Sequence, residues 1–237
     1  MKTNFISVQG SYKSLEISLF LDSKLCCCIQ KDDIKASSLF FSLVDQILKE
    51  NLTSLSDISF IAADIGPGSF TALRVIISSL NSISFSSNIS LIGVDGLDAL
   101  ATECLEKHDL QQDVLIIPIL NAFNGDIFFG GYQINSNNEI SCKVEKGYKN
   151  IEQFLLFLKE SFPQNKFLFC GNGVEIFKEQ ISNVLENKAI LQQQNIDVAS
   201  SKVIGEIALK RWINKEGIST QLLPLYLKIQ NYKPKYM

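Results

Sequence analysis

Hydrophobic and polar positions along the chain change period several times, and each change marks an element. Phe5–Val8 is a short apolar run, Gln9-Gly10-Ser11 turns the chain, and Leu15–Leu21 partly alternates, as a half-buried strand does. Asp22-Ser23-Lys24 turns it again and Leu25–Ile29 returns, so the opening predicts a three-stranded meander. Ser37–Glu50 then takes the helical period, with Phe40, Leu43, Val44, Ile47 and Leu48 on one face. Leu39 and Phe41 widen the apolar surface beyond one stripe, which predicts a helix that is deeply buried or meets a partner. Leu52–Asp57 links this helix to a buried strand at Ile58–Ala63. A helix is predicted from Phe70 to about Phe85, a strand over Ile89–Val94, and a helix over Asp98–Lys107, beginning near Asp95-Gly96.

The second half runs through the same order. Val114–Leu120, Asp126–Ile134 and Glu139–Val144 are strand candidates joined by Asn124-Gly125 and Ser136-Asn137-Asn138; Asn-Gly between such runs is a strong hairpin signal. Ile151–Glu160 reads as helix, Phe167–Cys170 as strand and Gly173–Leu185 as helix. The order βββαβα thus occurs twice, and the polar stretch Glu106–Asp113 between the copies predicts a junction of two lobes, 1–107 and 108–237. His108, the only histidine, lies in that stretch and reads as a solvated side chain. A late helix over Ile204–Trp212 and a closing segment Pro224–Lys228 follow. The tail from Gln230, with Lys233 and Lys235, is expected to be mobile and solvated.

Composition narrows the class. The 237 residues are 46% hydrophobic, enough for a sizeable core. A net charge of −3 gives no electrostatic reason for the chain to grip nucleic acid alone. There is no apolar leader near the N-terminus and no run of about 18 apolar residues, so a soluble, intracellular, cytoplasmic protein without a membrane partner is expected. The six cysteines form no C-x-x-C pair, which argues against a zinc site and for buried, reduced thiols.

The stretch around which the chain is organised is Ala63–Leu80. Gly66, Pro67 and Gly68 make a turn in which Pro67 presets φ and Gly68 is expected to take a positive φ. Ser69 or Thr71 then offers a hydroxyl to cap the helix. Such a turn is either a plain connector or an anion-binding helix N-terminus. On the helix, Phe70, Leu73, Ile76 or Ile77, Leu80 and Ile83 or Ser84 suit the core. A second row, Ala72, Val75, Ser79, Ser82 and Ser86, is made almost wholly of small residues. That row is either a solvated face or a surface on which another helix can lie closely.

The string Gly66-Pro67-Gly68-Ser69-Phe70-Thr71, followed by Leu73-Arg74-Val75, resembles the signature of the bacterial TsaB (YeaZ) family, which usually has Gly where this chain has Ala72. The segment Pro224-Leu225-Tyr226-Leu227 is similar to that family's closing segment, and the duplicated order matches its layout. The resemblance implies an α/β protein of the actin-like ATPase (ASKHA, ribonuclease H-like) fold and a degenerate relative of TsaD. It also implies a role in placing threonylcarbamoyl on the adenosine beside the anticodon of tRNAs reading codons that start with A. The expected partners are a TsaD-like protein, a TsaE-like ATPase, and tRNA through the complex, with a homodimer as a further arrangement. ATP or ADP and metal are expected in partner subunits and no cofactor in this chain. Leu39 and Phe41, with Ala72, Val75, Ser79, Ser82 and Ser86, are the expected partner face, since the family is thought to meet TsaD through a helical bundle.

The residues themselves bear on activity. An active member of this superfold needs an acidic residue in the turn after the first strand and usually another in the matching turn of the second lobe. Here those turns read Gln9-Gly10-Ser11, where relatives often have Asp-Thr-Ser, and Leu120-Asn121-Ala122. The family's His-Ser-Glu at the first helix corresponds to Ala36, Ser37 and Ser38. No metal ligands and no catalytic residue are therefore expected. A hydrolase triad would have to use His108, and no Gly-x-Ser-x-Gly elbow is present. Two other readings stay open: a small-molecule kinase of the same superfold, and a protease-like enzyme.

Overall fold

The computed structural model describes residues 2–12, 14–32, 36–108, 110, 113–135, 140–192 and 196–228, with nothing said of the side chains at 36–38. The predicted turn at 136–138, the start of a strand at Glu139 and the tail from Gln230 lie outside the described residues. The first repeat comprises β1 (Phe5–Gln9), β2 (Leu15–Leu21), β3 (Lys24–Lys31), α1 (Ala36–Glu50), β4 (Phe60–Asp64), α2 (Phe70–Ser87), β5 (Ser90–Val94) and α3 (Gly96–Lys107). The second comprises β6 (Val114–Asn121), β7 (Asp126–Ile134), β8 (Ile140–Asn150), α4 (Ile151–Ser161), β9 (Lys166–Cys170), α5 (Gly173–Leu185), β10 (Ala189–Leu191) and α6 (Ser201–Asn214). A two-residue strand, β11 (Ile218–Ser219), follows. The repeat is therefore longer than expected, βββαβαβα. The three-residue β10 and the two-residue β11 are too short to leave a period in the sequence.

The sheets obey one plan. In the first the strand order is β11-β5-β4-β1-β2-β3, in the second β10-β9-β6-β7-β8. Each has an antiparallel meander on one side and parallel strands on the other, with the first strand of the repeat pairing to both. β1, buried along its whole length, is apolar apart from Ser7 and Gln9, as a central strand with both faces covered must be.

Five layers result. α1 and α2 cover the outer face of the first sheet, with Phe40, Ile47, Leu73, Ile76 and Leu80 packed on Ile6, Val8, Ile17 and Ile61. α4 and α5 cover the outer face of the second. The layer between the sheets is α3 and α6, and there chain order and packing part company. α3, from the first half, lies on β6, β7 and β8, whereas α6, from the second half, lies on β1, β2 and β4, and β11 pairs with β5. The core between the sheets thus draws on both repeats.

The packing of α6 shows how closely this exchange is fitted. Phe5 stacks on Phe20 and Phe60 at 4.3 and 4.5 Å, and Phe60 on Trp212 of α6 at 4.8 Å. A Cβ at Gly205 would come within 2.6 Å of the Phe20 ring, so only glycine lets the helix lie this near the sheet. Buried hydroxyls are satisfied in the same contact: Ser7 Oγ donates to Ser201 O at 2.6 Å, and Ser18 and Ser201 share a 2.6 Å bond.

The expectation of buried cysteines changes. Only Cys104 and Cys170 are buried; Cys26, Cys28 and Cys142 are exposed and Cys27 is half-buried. The exposed ones sit on β3 and β8, edge strands with a neighbour on one side only. Pro224–Lys228 forms no sheet strand, and Leu225 N–H donates to Ile65 O at 2.8 Å.

Candidate functional site

The glycine turn between β4 and α2 is tied down from three sides. Gly66 has φ +106°, as expected of glycine, and the Gly66–Pro67 peptide is cis. Gly68 does not take the positive φ expected of it; it is needed because a Cβ there would meet Ser11 O at 2.5 Å and Ser11 Cβ at 2.8 Å. Ser69 N–H donates to Ser11 O at 2.7 Å, which locks the turn to the loop after β1. Ser69 is the N-cap of α2 by position, but its hydroxyl makes no capping bond; the side chain is not needed once the backbone is held from outside.

Beneath the turn lies Asp64, a buried carboxylate that sequence reasoning passed over. Its Oδ1 accepts from Gly66 N–H at 2.7 Å, and the side chains of Ser11 and Gln9 bond to it as well. Burial pushes its carboxyl up to about 6, against those bonds, and Asp95 nearby adds to the rise. A Cβ at Gly96 would sit 2.8 Å from the same oxygen, so the N-terminus of α3 closes over the acid.

A cleft of about 760 Å³ opens between the lobes. The two turns that face it come from equivalent places in the repeats, after β1 and after β6. Gln9 is wholly buried and turned inward: Nε2 donates to Ser11 Oγ at 2.9 Å, while Oε1 has no partner. Asn121 folds onto its own turn, its Oδ1 accepting from Phe123 N–H at 2.9 Å. Tyr12 O–H donates to Asn121 O at 2.9 Å and so bridges the turns of the two lobes; burial raises its phenol above the usual value. Asn172 supports the bridge, accepting from Asn121 N–H at 2.8 Å. Two of the cleft acids are engaged at the start of α6. Glu103 accepts from Ser200 N–H at 2.7 Å and pairs with Lys107, and Glu16 accepts from Ser201 N–H at 3.2 Å. Carboxylates thus occupy the N-terminus of α6, the end that would attract a phosphate. At the turns after β1 and β6 the side chains are amides, Gln9 buried on Ser11 and Asn121 bound to its own backbone, and neither supplies the charged oxygen that the divalent metal of a nucleoside triphosphate prefers. Among the described residues no cluster of three His, Cys, Asp or Glu could hold a metal ion.

The two segments that carry the family resemblance meet. Tyr226, in the closing segment, tilts against the Phe70 ring at 5.7 Å and accepts from Arg74 Nε at 3.2 Å, while the Arg74 guanidinium lies 4.3 Å over Phe70. Phe70, expected in the core, is half exposed: it is the first residue of α2, and its ring lies against Tyr226 and under the Arg74 guanidinium. The other predicted core positions hold: Leu73, Ile76, Ile77, Leu80, Ile83 and Ser84 are all buried. Thr71 and Arg74 face solvent.

The outer face of α1 and α2 carries the remaining predicted residues. Leu39 and Phe41 are exposed on α1, as are Ser82 and Ser86 on α2, while Ala72, Val75 and Ser79 are half-buried. Phe85, which sequence reasoning left out of this row, is 90% exposed. The two helices pack on each other, so these residues lie on a pair of adjacent helices. His108 Nδ1 bonds Cys104 O at 2.9 Å, at the end of α3.

Two βββαβαβα repeats, each with a sheet in the order 3-2-1-4-5 and a cleft between them, define a protein of the actin-like ATPase fold. The sequence model of the family described as "TsaD: tRNA N6-adenosine threonylcarbamoyltransferase" matches residues 35–231. The chain belongs to this family, as one of its TsaB (YeaZ) members. It is 28% identical over 156 residues to the tRNA threonylcarbamoyladenosine biosynthesis protein TsaB of Buchnera aphidicola subsp. Schizaphis graminum, covering 66% of this chain and 72% of that one. To the protein of the same name from Bacillus subtilis it is 26% identical, over 82% of this chain and 80% of the other. YeaZ from Pseudomonas aeruginosa superposes with a TM-score of 0.79 at 17% identity, covering 95% of this chain and all of that chain, a likeness of fold.

Proposed function

We propose that this chain is the non-catalytic partner of a TsaD-like subunit in tRNA threonylcarbamoyladenosine biosynthesis. The observation that carries the reading is the state of the two cleft turns. Where an ATPase of this fold needs carboxylates, Gln9 and Asn121 are engaged in holding their own turns. Transfer of threonylcarbamoyl to tRNA then belongs to the TsaD-like subunit. Nucleotide and metal belong to that subunit and to a TsaE-like ATPase, and tRNA is met through the assembly, in the cytoplasm.

The docking face in this reading is the outer surface of α1 and α2. Leu39, Phe41 and Phe85 supply exposed apolar area, and the small residues Ala72, Ser79 and Ser82 let a facing helix approach. A homodimer through the same face is the competing arrangement. The test is co-purification with the TsaD-like protein of the same cell. Ser79→Arg and Ser82→Trp keep the circular dichroism of the wild type and lose the partner, because a large side chain holds the helices apart. Partner binding at wild-type affinity by both variants moves the interface elsewhere. The kinase reading is tested by calorimetric titration with ATP and magnesium, to which the isolated chain gives no heat of binding.

A further inference from the structure

Beside the cleft, and separate from the α1–α2 face, lies a second cavity of about 530 Å³. It opens where the first turn of α2, the β6–β7 loop and the closing segment meet. Its walls are apolar: Phe70 and Leu73 from α2, Phe123 and Phe128 from the hairpin, Leu225 and Tyr226 from the closing segment. Its charged lining groups are Arg74 and Lys228, both cations, in a chain whose net charge is −3. Both lie over rings, Arg74 over Phe70 and Lys228 Nζ 4.6 Å over Tyr148, so the positive groups are held at the rim. The size and lining are those of a ligand or anchor pocket.

Phe123 adds an independent sign. The hairpin loop Phe123-Asn124-Gly125 has φ of +65°, +57° and +81°. Asn and Gly are at home there, but a phenylalanine is not, and it costs about 1 kcal/mol to hold it so. The ring is nonetheless 57% exposed, so burial in the folded chain does little to repay that cost. An aromatic side chain held at a strained position on the wall of an apolar cavity is how an anchor site is built.

We infer that this cavity receives an apolar side chain of a partner protein that stands next to a carboxylate, either an Asp or Glu neighbour or a chain terminus. The rings and leucines take the apolar body, and Arg74 and Lys228 take the charge. The site goes beyond the α1–α2 docking face and uses different residues, apart from sharing helix α2.

The experiment uses the full chain, isotope-labelled, and two small probes that differ only in charge: N-acetylphenylalanine and its amide. In proton–nitrogen NMR titrations both shift resonances of residues 68–74, 122–128 and 225–228, and the acid binds about three- to fivefold tighter, the range an exposed ion pair supports. Arg74→Ala lowers the preference for the acid, Arg74→Ala with Lys228→Ala abolishes it, and both leave amide binding in place; Phe123→Ala weakens binding of both probes. Absence of shifts at these residues at millimolar probe, equal binding of acid and amide by the wild type, or tighter binding of adenosine monophosphate at the same residues overturns the inference, the last in favour of a nucleotide pocket. Ser82→Trp, which tests the α1–α2 face, leaves the probe titration unchanged, so failure of one reading is distinguishable from failure of the other.

Discussion

Asp64 makes the fold sensitive to pH in a direction opposite to that of most paired acids. Its carboxyl is 3% exposed and shifts from 3.8 to about 6 in the folded protein. At about 1.4 kcal/mol per unit, that shift amounts to about 3 kcal/mol between the protonated and ionised forms. The folded state holds the proton more tightly than the unfolded one. The stabilisation is therefore complete below the unfolded value near 3.8 and is lost as pH rises through 6. Of the total, about 2 kcal/mol falls between pH 4.5 and 7.5. Asp64→Asn removes this titration but retains the shape. The amide keeps an oxygen for Gly66 N–H and brings two donors to a pocket where Gln9 Oε1 has no partner. Urea unfolding of both proteins across that pH range isolates the term, because groups beyond Asp64 and its neighbour Asp95 titrate alike in both. The stability of the variant minus that of the wild type rises by about 2 kcal/mol from pH 4.5 to 7.5. A difference that stays constant, or falls with pH, refutes the argument that burial under the turn raises the Asp64 carboxyl.

Other consequences are as direct. Gly68→Val lowers the midpoint of thermal unfolding by the equivalent of about 1–3 kcal/mol, because its Cβ meets backbone at Ser11 rather than a side chain that could swing away; an unchanged midpoint refutes this. Phe123→Asn raises stability by about 1 kcal/mol in urea unfolding, since asparagine tolerates φ +65°; a loss of stability would show that the ring is held by the monomer itself. Lys146 donates to Asp95 at 2.7 Å and to Asp98 at 3.0 Å, joining β8 to the start of α3. Lys146→Ala destabilises by about 1–2 kcal/mol, an effect that 1 M salt reduces because the lysine is partly exposed.

Much of the fold was written in the period of the chain. Alternating runs gave the meanders, the spacing of Phe40, Leu43 and Ile47 gave α1, and Asn124-Gly125 placed the β6–β7 hairpin at its observed turn, because each of these is a property of neighbours in sequence. The signature string marked the turn that matters, and the missing carboxylates at Gln9 and Asn121 were legible as residue types. What the sequence could not carry was anything decided by residues far apart. The exchange of α3 and α6 between sheets depends on contacts such as Ser7 to Ser201, 194 positions distant. Gly68 is forced by the backbone at Ser11, not by its own φ. Phe70 has core spacing but opens α2 half exposed, where Tyr226 of the closing segment and the Arg74 guanidinium cover it in part. Asp64 ends an apolar strand in the same way whether or not a helix later closes over it. Its raised proton affinity exists only once Ser11, Gly66 and the start of α3 have closed around it, and the Tyr12–Asn121 bridge and the cavity beside Arg74 only once the two repeats have met.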